Sequence, residues 1–330
     1  MTDVATDPTR AEPPAAEPAA EPVAVPAKRK SSLWEEVKGI FWLLLVVLGF
    51  HSFVAKPFYI PSESMLPGLE VGDRLVVSKW AYGWSFVSPT IPYPVGIFNS
   101  LVLREPNQSW AVGLPFMKGR LLGRLPERGD VVIVTPPGTN NDYIKRVIGL
   151  PGDTLEVRGG TVILNGKPVQ RGPLHYVDLP DYGGTKGPDG REMCDTAEYG
   201  PDVRRQSPDG LVVCHLPIIT ETLPNGRRFD TVESGPSIGD DYPATRIPAN
   251  HVFLMGDNRD KSADSRFPLA AQGLGGPVPY ENLGGRAEFI TFSLDGTTSL
   301  NPATWISAFR AGRAGDSLHA ERVAVPAAAK

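Results

Sequence analysis

Two serines one residue apart, Ser62 and Ser64, sit between Pro61 and Pro67. Proline fixes φ and restrains the residue before it, so residues 57–67 form a stiff, turn-rich passage. Such a passage can hold a hydroxyl at one angle to a partner. A hydroxyl becomes a useful nucleophile only beside a base. A candidate base lies in the strand-like run 142–153, where period-two alternation puts Tyr143, Lys145 and Val147 on one face. Desolvation between an aromatic ring and a valine would lower the lysine pKa and leave an amine able to accept a proton. A third stretch, residues 251–266, carries an apolar strand through Gly256 into a dense polar turn. Its aspartates raise the question of calcium, but the turn glycine and distal bidentate glutamate of an EF-hand are absent. The turn reads instead as a hydrogen-bonded scaffold in which Asp264 pairs with Arg266 and Ser262 orients a neighbour. The first two stretches also have plainer readings: a Ser/Pro linker and a snorkelling edge lysine.

The elements that must position these residues follow from composition and pattern. The chain has 330 residues, 35 glycines, 34 prolines and a formal net charge of −4. That balance gives no global basic signature for nucleic acid. Abundant turn residues argue for short strands and against a helix bundle. Residues 1–32 repeat Ala, Glu and Pro and read as a disordered tail. Residues 33–56 contain an apolar run close to the roughly 20 residues of a spanning helix. Lys28, Arg29 and Lys30 before it, against Lys56 after it, place the N-terminus in the cytoplasm and the remainder outside. Residues 81–127 are rich in aromatics and proline, with Phe98, Trp110 and Phe116, and read as an extended hairpin or loop near a bilayer. Residues 154–250 read as strands and turns. Cys194 and Cys214 are the only cysteines, and spacing alone leaves open whether they pair. Gly235-Pro236-Ser237-Ile238-Gly239 fits a G-x-S-x-G pattern but lacks the preceding buried strand and following helix of a nucleophile elbow.

Pro61-Ser62-Glu63-Ser64-Met65, the run from Tyr143 through Lys145-Arg146 to Gly152-Asp153, and Gly256-Asp257-Asn258-Arg259-Asp260-Lys261-Ser262-Ala263-Asp264-Ser265-Arg266 resemble the signature boxes of bacterial type I signal (leader) peptidases. Their order after an apolar segment is also similar. The resemblance implies a Ser/Lys dyad with Ser64 as nucleophile and Lys145 as general base. It implies an oxyanion hole from the Ser62 hydroxyl and the Ser64 N–H. Ser262 would orient the Lys145 amine, Asp264 with Arg266 and Arg146 would brace the turn, and Gly256 would leave room beside the lysine. Phe58, Ile60, Leu69, Ile133, Tyr143 and Ile144 would line shallow pockets for small side chains before the scissile bond.

The expected architecture is mainly β: an N-terminal transmembrane helix, then an antiparallel catalytic core with an inserted second β domain. The core comprises residues 57–153 and 251–293, with 154–250 inserted and 294–330 a C-terminal tail. The implied enzyme is a membrane-bound serine endopeptidase of the inner (cytoplasmic) membrane, with its catalytic domain on the periplasmic side. Its implied partners are signal-peptide-bearing preproteins, membrane lipid and the secretion translocon. No cofactor, metal or nucleic acid is implied. Two other readings remain open at this level: a Ser/Lys peptidase maturing one dedicated substrate, and a membrane-tethered binding module whose Ser62–Ser64 turn is only structural.

Overall fold

The computed structural model describes residues 32–88, 91–92, 111–112, 119–181, 194–208, 210, 212–295, 301 and 303–324. The expected tail up to residue 31, and Tyr93, Phe98, Trp110 and Phe116, lie outside the described residues.

The organising element is a seven-stranded antiparallel sheet. It contains β1 (Ala55–Tyr59), β2 (Asp73–Ser78), β5 (Val131–Val134), β6 (Tyr143–Gly149), β16 (His251–Met255), β17 (Val278–Pro279) and β18 (Leu283–Ser293). Their spatial order is β1-β2-β18-β5-β6-β16-β17. The omitted numbers belong to three smaller sheets. β3 (Ile91–Pro92) pairs with β4 (Ala111–Val112). β7 (Thr154–Arg158), β8 (Thr161–Leu164), β9 (Lys167–Pro168) and β15 (Tyr242–Arg246) form a four-stranded sheet. β10 (Gln170–Arg171), β11 (His175–Pro180), β12 (Arg204–Gln206), β13 (Val212–Thr222), β14 (Arg227–Val232) and β19 (Glu321–Arg322) form a six-stranded one.

Burial follows the strand patterns. β2 alternates strictly between buried and half-buried positions, as a strand with one core face must. β5 is buried throughout, and β6 is buried from Ile144 to Gly149. Both lie inside the sheet, each with a partner on either side. One apolar cluster gathers Ile60, Met65, Leu69, Leu75, Ile133, Ile144 and Ile290. A second, with Val132, Val134, Val147, Val252 and Leu254, uses the other faces of β5, β6 and β16. Cys194 and Cys214 form a disulfide within a further cluster containing Leu66, Leu216, Ile218 and Val232.

The apolar run near the N-terminus forms helix α1 (Leu33–Phe53). Its large side chains are exposed, among them Leu43, Leu44 and Val46. Among the described residues, however, no helix is long and apolar enough to cross a membrane. Glu35, Glu36 and Lys38 interrupt the apolar character of α1 within its first turns.

The segment after 294, expected as a tail, is packed against the sheet. Leu318 joins the first core cluster, and β19 pairs with β14. Arg310 is 3% exposed and pairs with the equally buried Glu70. Arg313 bridges Glu70 at 2.8 Å and Asp73 at 2.5 Å. These arginines close the turn that leads from Ser64 into β2. Gly72 sits there at φ +100, with the Leu294 carbonyl where a side chain would go. Breaking a buried pair leaves an uncompensated charge, a loss of about 3–5 kcal/mol. Arg310→Ala should therefore destabilise the protein by about 3 kcal/mol, the low end because Arg313 still contacts Glu70. Arg322→Ala removes only an exposed ion pair to Glu127 and should cost less than about 1 kcal/mol. Denaturant unfolding of both variants checks the contrast, and equal losses would contradict it.

Candidate active site

Ser64 lies in the connection between β1 and β2. Ile60 and Asp73 close that connection by a backbone bond of 2.9 Å, and Gly72 donates back to Ile60 at 2.9 Å. Inside it, Leu66 N–H donates to the Glu63 carbonyl and Leu69 N–H to the Met65 carbonyl, both at 3.0 Å. Met65, Leu66 and Leu69 are at most 1% exposed, so the turn is plugged into the core by its own apolar side chains. Ser62 is half-buried and Ser64 is 7% exposed.

Lys145 comes from β6, where its backbone partner is Val132 of β5. Its Nζ is 2.8 Å from Ser64 Oγ, a contact across 81 positions of sequence. The amine also lies 5.8 Å from the Tyr143 ring centroid. Burial pushes Lys145 down to about 8. Asp264 and Asp257 act in the opposite direction and Arg266 supports the lowering. Ser62 Oγ lies 3.5 Å from Ser64 Oγ.

The polar turn after β16 backs this pair. Asn258 N–H donates to the Ser64 carbonyl at 3.1 Å, and Gly256 N–H donates to Asp264 at 3.0 Å. Asp264 is held by Arg266 through Nε and Nη2, both at 2.9 Å. Burial pushes the Asp264 carboxyl up, but Arg266 and the backbone donors of Gly256 and Arg266 outweigh it and hold the group below its usual range. Arg146 reaches the same turn through Asp257, in a two-point pair with Nε at 2.7 Å and Nη2 at 2.5 Å. The cause is the register of β6 and β16, which sets Arg146 opposite Met255, just before Asp257. Ser262 Oγ is buried but has no hydrogen-bond partner among the described residues, so it makes no bond to Lys145 here. Gly256 is tight: a Cβ there would meet the Ser262 side chain and come within 2.5 Å of the Ser64 carbonyl oxygen.

Of the six expected pocket residues, Ile60, Leu69, Ile133 and Ile144 share one cluster and Phe58 packs against it. Tyr143 packs with the other cluster, beside Val147. A cleft of about 180 Å³ opens beside Met65, Leu69 and Val131, and the Leu318–Ala320 segment lines it too. Ser237 is placed elsewhere: its hydroxyl donates to Asp240 at 3.0 Å in a capping arrangement. Pattern reading did not single out Glu63, Tyr199 or Leu318. Asn258 lay inside a recognised polar box, but its backbone bond to Ser64 depends on the folded path of both turns.

The geometry is that of a strand-borne amine buried against a hydroxyl on a turn closed by its own backbone bonds. Residues 33–292 match the family described as signal peptidase, peptidase S26, and the chain belongs to that family. The signal peptidase I of Rickettsia typhi is 29% identical over 274 residues, covering 81% of this chain and 83% of the relative. That of Rickettsia akari is 30% identical over 276 residues, covering 80% and 83%. A crystal structure of a signal peptidase I from Enterococcus faecalis is 22% identical and covers 49% of this chain and 97% of that one. Its TM-score of 0.24 is too low to bear on the fold.

The burial of Lys145 is open to direct measurement. With reductively ¹³C-methylated lysines, two resonances should titrate near pH 8, from the buried Lys79 and Lys145, and only one of them should vanish in Lys145→Met. A Lys145 signal titrating with the exposed lysines, near 10.4, would contradict the buried geometry.

Proposed function

We propose that this chain is a membrane-attached serine endopeptidase that removes N-terminal signal peptides from exported preproteins after small residues. The observation that supports this most is the 2.8 Å contact between the buried Lys145 amine and Ser64 Oγ. Family membership supports the substrate class.

In this reading the neutral Lys145 amine accepts the Ser64 proton as Oγ attacks the scissile carbonyl carbon. The carbonyl oxygen becomes an oxyanion that receives hydrogen bonds from the Ser62 hydroxyl and the Ser64 N–H. Collapse breaks the C–N bond, and the Lys145 ammonium gives its proton to the leaving amine. Water then repeats the sequence on the ester, with Lys145 again taking the proton, and the signal peptide leaves as a carboxylate. Arg266 and Asp264 fix the turn behind the amine; Arg146 and Asp257 fix the strand beside it. Gly256, having no side chain, leaves the room that the Ser262 side chain occupies. Phe58, Ile60, Leu69, Ile133, Tyr143 and Ile144 limit the substrate to small side chains before the cleaved bond.

The division into a core of residues 57–153 and 251–293 with 154–250 inserted belongs to the same proposal. Membrane attachment runs through α1, whose exposed Ile40, Phe41, Trp42 and Leu43–Leu45 suit lipid. Lys28, Arg29 and Lys30 would keep the N-terminus on the cytoplasmic side, with the catalytic residues facing the periplasm near the secretion translocon. External protease on spheroplasts should digest the chain after Lys56; protection would reject this topology.

The sign of the pH dependence is fixed by which form reacts. Below about 8 Lys145 is an ammonium and cannot take the Ser64 proton. Thus kcat/KM on a preprotein should rise with pH through one ionisation near 8 and stay high on its alkaline side. Ser64→Ala, Lys145→Met and Lys145→Arg should all be inactive, because none retains both hydroxyl and proton acceptor. Ser237→Ala should match wild type. Ser62→Ala should lose about 10²–10³ in kcat with little change in KM. Substantial cleavage by Lys145→Arg would end the Ser/Lys mechanism. Cleavage of several unrelated preproteins supports general processing, and cleavage of only one favours a dedicated enzyme.

A further inference from the structure

Glu63 lies between the two active-site serines, and its carboxylate is held from far away in sequence. Cys194 N–H donates to Oε1 and Tyr199 O–H donates to Oε2, each at 2.9 Å. Tyr199 belongs to a short helical turn, Thr196–Tyr199, and the Lys261 ammonium lies 5.4 Å from its ring centroid. The Tyr199 oxygen also accepts from Asn258 Nδ2 at 2.7 Å. The same Nδ2 donates to the Glu63 carbonyl at 3.1 Å, while Asn258 N–H holds the Ser64 carbonyl. Four backbone and side-chain acceptors of Glu63 and Ser64 are therefore tied to Asn258 and the 194–199 segment.

That segment has its own anchor. Cys194 is fully buried and bonded to Cys214 of β13. It sits at φ +60, a conformation uncommon for a residue with a side chain, and from there its N–H reaches Glu63. Asn258 is anchored independently: it bridges to Val232 of β14, where Val232 N–H donates to the Asp257 carbonyl and Arg259 N–H to the Val232 carbonyl, both at 3.0 Å. An acidic residue on an ordinary surface turn would point to water. Here the carboxylate spans the gap between the nucleophile turn and a disulfide-fixed loop.

We propose that Glu63 is a positioning residue for Ser64, acting through Tyr199 and the Cys194 N–H, and that the Cys194–Cys214 disulfide is the fixed point it pulls against. The proposal rests on the Ser64/Lys145 reading. Glu63 does not touch the reacting atoms. It sets the orientation of the peptide units on either side of it, and those units carry the Ser62 hydroxyl, the Ser64 N–H and Ser64 Oγ. Loss of the tie should leave substrate pockets and Lys145 intact while the nucleophile samples unproductive orientations. Small misplacements at a reacting centre cost about 10²-fold in rate.

The test uses the purified full-length chain with a preprotein substrate. Glu63→Ala and Tyr199→Phe should each lower kcat by about 10- to 100-fold. KM should stay within about twofold, since uniform binding is untouched. Glu63→Gln keeps an acceptor for the Cys194 N–H and an amide for the Tyr199 oxygen, and should recover most of the wild-type kcat. The Glu63→Ala/Tyr199→Phe double variant should be no slower than the slower single, as expected of one connected network. Reduction of the disulfide with a phosphine should lower the wild-type kcat and leave Glu63→Ala unchanged. The ionisation near pH 8 should persist in every active variant. A wild-type kcat in both Glu63→Ala and Tyr199→Phe, a change confined to KM, additive losses in the double variant, or a Glu63→Gln as slow as Glu63→Ala would each overturn the proposal. Ser64→Ala separates the two levels. If it is inactive while Glu63→Ala is normal, only the positioning role fails; if it cleaves, the dyad itself fails and the proposal with it.

Discussion

Everything at this site depends on keeping one amine dry. Burial lowers the Lys145 pKa against the two carboxylates nearby, Asp264 and Asp257, which favour its charged form. The fold gives each carboxylate its own arginine. Asp264 is held by Arg266 and Asp257 by Arg146, both pairs deeply buried. A carboxylate saturated by a guanidinium has little field left for a third group, and Arg266 opposes the lysine charge directly. The site is thus an arrangement of paired charges around one buried amine. Replacing either arginine would add a bare carboxylate beside the amine as well as loosen the turn.

The same logic of paired burial ties the smaller sheets to the main one. Arg259 follows the active-site turn, is 1% exposed, and meets Glu221 of β13 through two bonds of 2.7 and 2.6 Å. Burial works against the arginine charge, but Glu221 outweighs it and the guanidinium is held above its ordinary range. A buried pair of this kind adds little net stability over a well-packed apolar pair. It does exclude alternatives, because a shifted register would strand a charge. With Arg310 and Glu70 doing the same on the other side of the Ser64 turn, two buried pairs bracket the path of the nucleophile.

The strands were legible in sequence because they depend on local pattern. β2, β5 and β6 follow the expected alternating or fully apolar runs, and period two put Lys145 on the same face as Tyr143 and Val147. Pairings that depend on three-dimensional register were not legible. The partner of Arg146 is Asp257, and the Ser262 hydroxyl lies beside Gly256 with no hydrogen-bond partner among the described residues. The segment after 294 reads as a tail because it follows the last strand-like run and ends Pro326-Ala327-Ala328-Ala329-Lys330. Arg310, Arg313 and Leu318 nevertheless pack it, three side chains too sparse to register as a periodic signal. The apolar run of α1 was visible, but its acidic first turn carried less weight in the sequence reading than its hydropathy requires.

Topology explains how so much chain can lie between Lys145 and the turn that supports it. β6 and β16 are adjacent antiparallel strands, with Gly149 opposite Phe253. Residues 154–250 are therefore an enlarged hairpin connection, and the ends of the insertion are already side by side in the sheet. Loop-closure entropy grows only logarithmically with length, so enlarging such a connection costs little once its ends are fixed. What the enlargement adds is a second point of support. β14 reaches back to Asn258, β13 to Arg259 and the Cys194–Tyr199 segment to Glu63. A hairpin closed by a short turn could have kept the register of β6 and β16, but it would have left the far side of the Ser62–Ser64 turn unheld. The inserted sheets supply that hold, and they do so from strands whose own positions are fixed by a disulfide and by a buried ion pair.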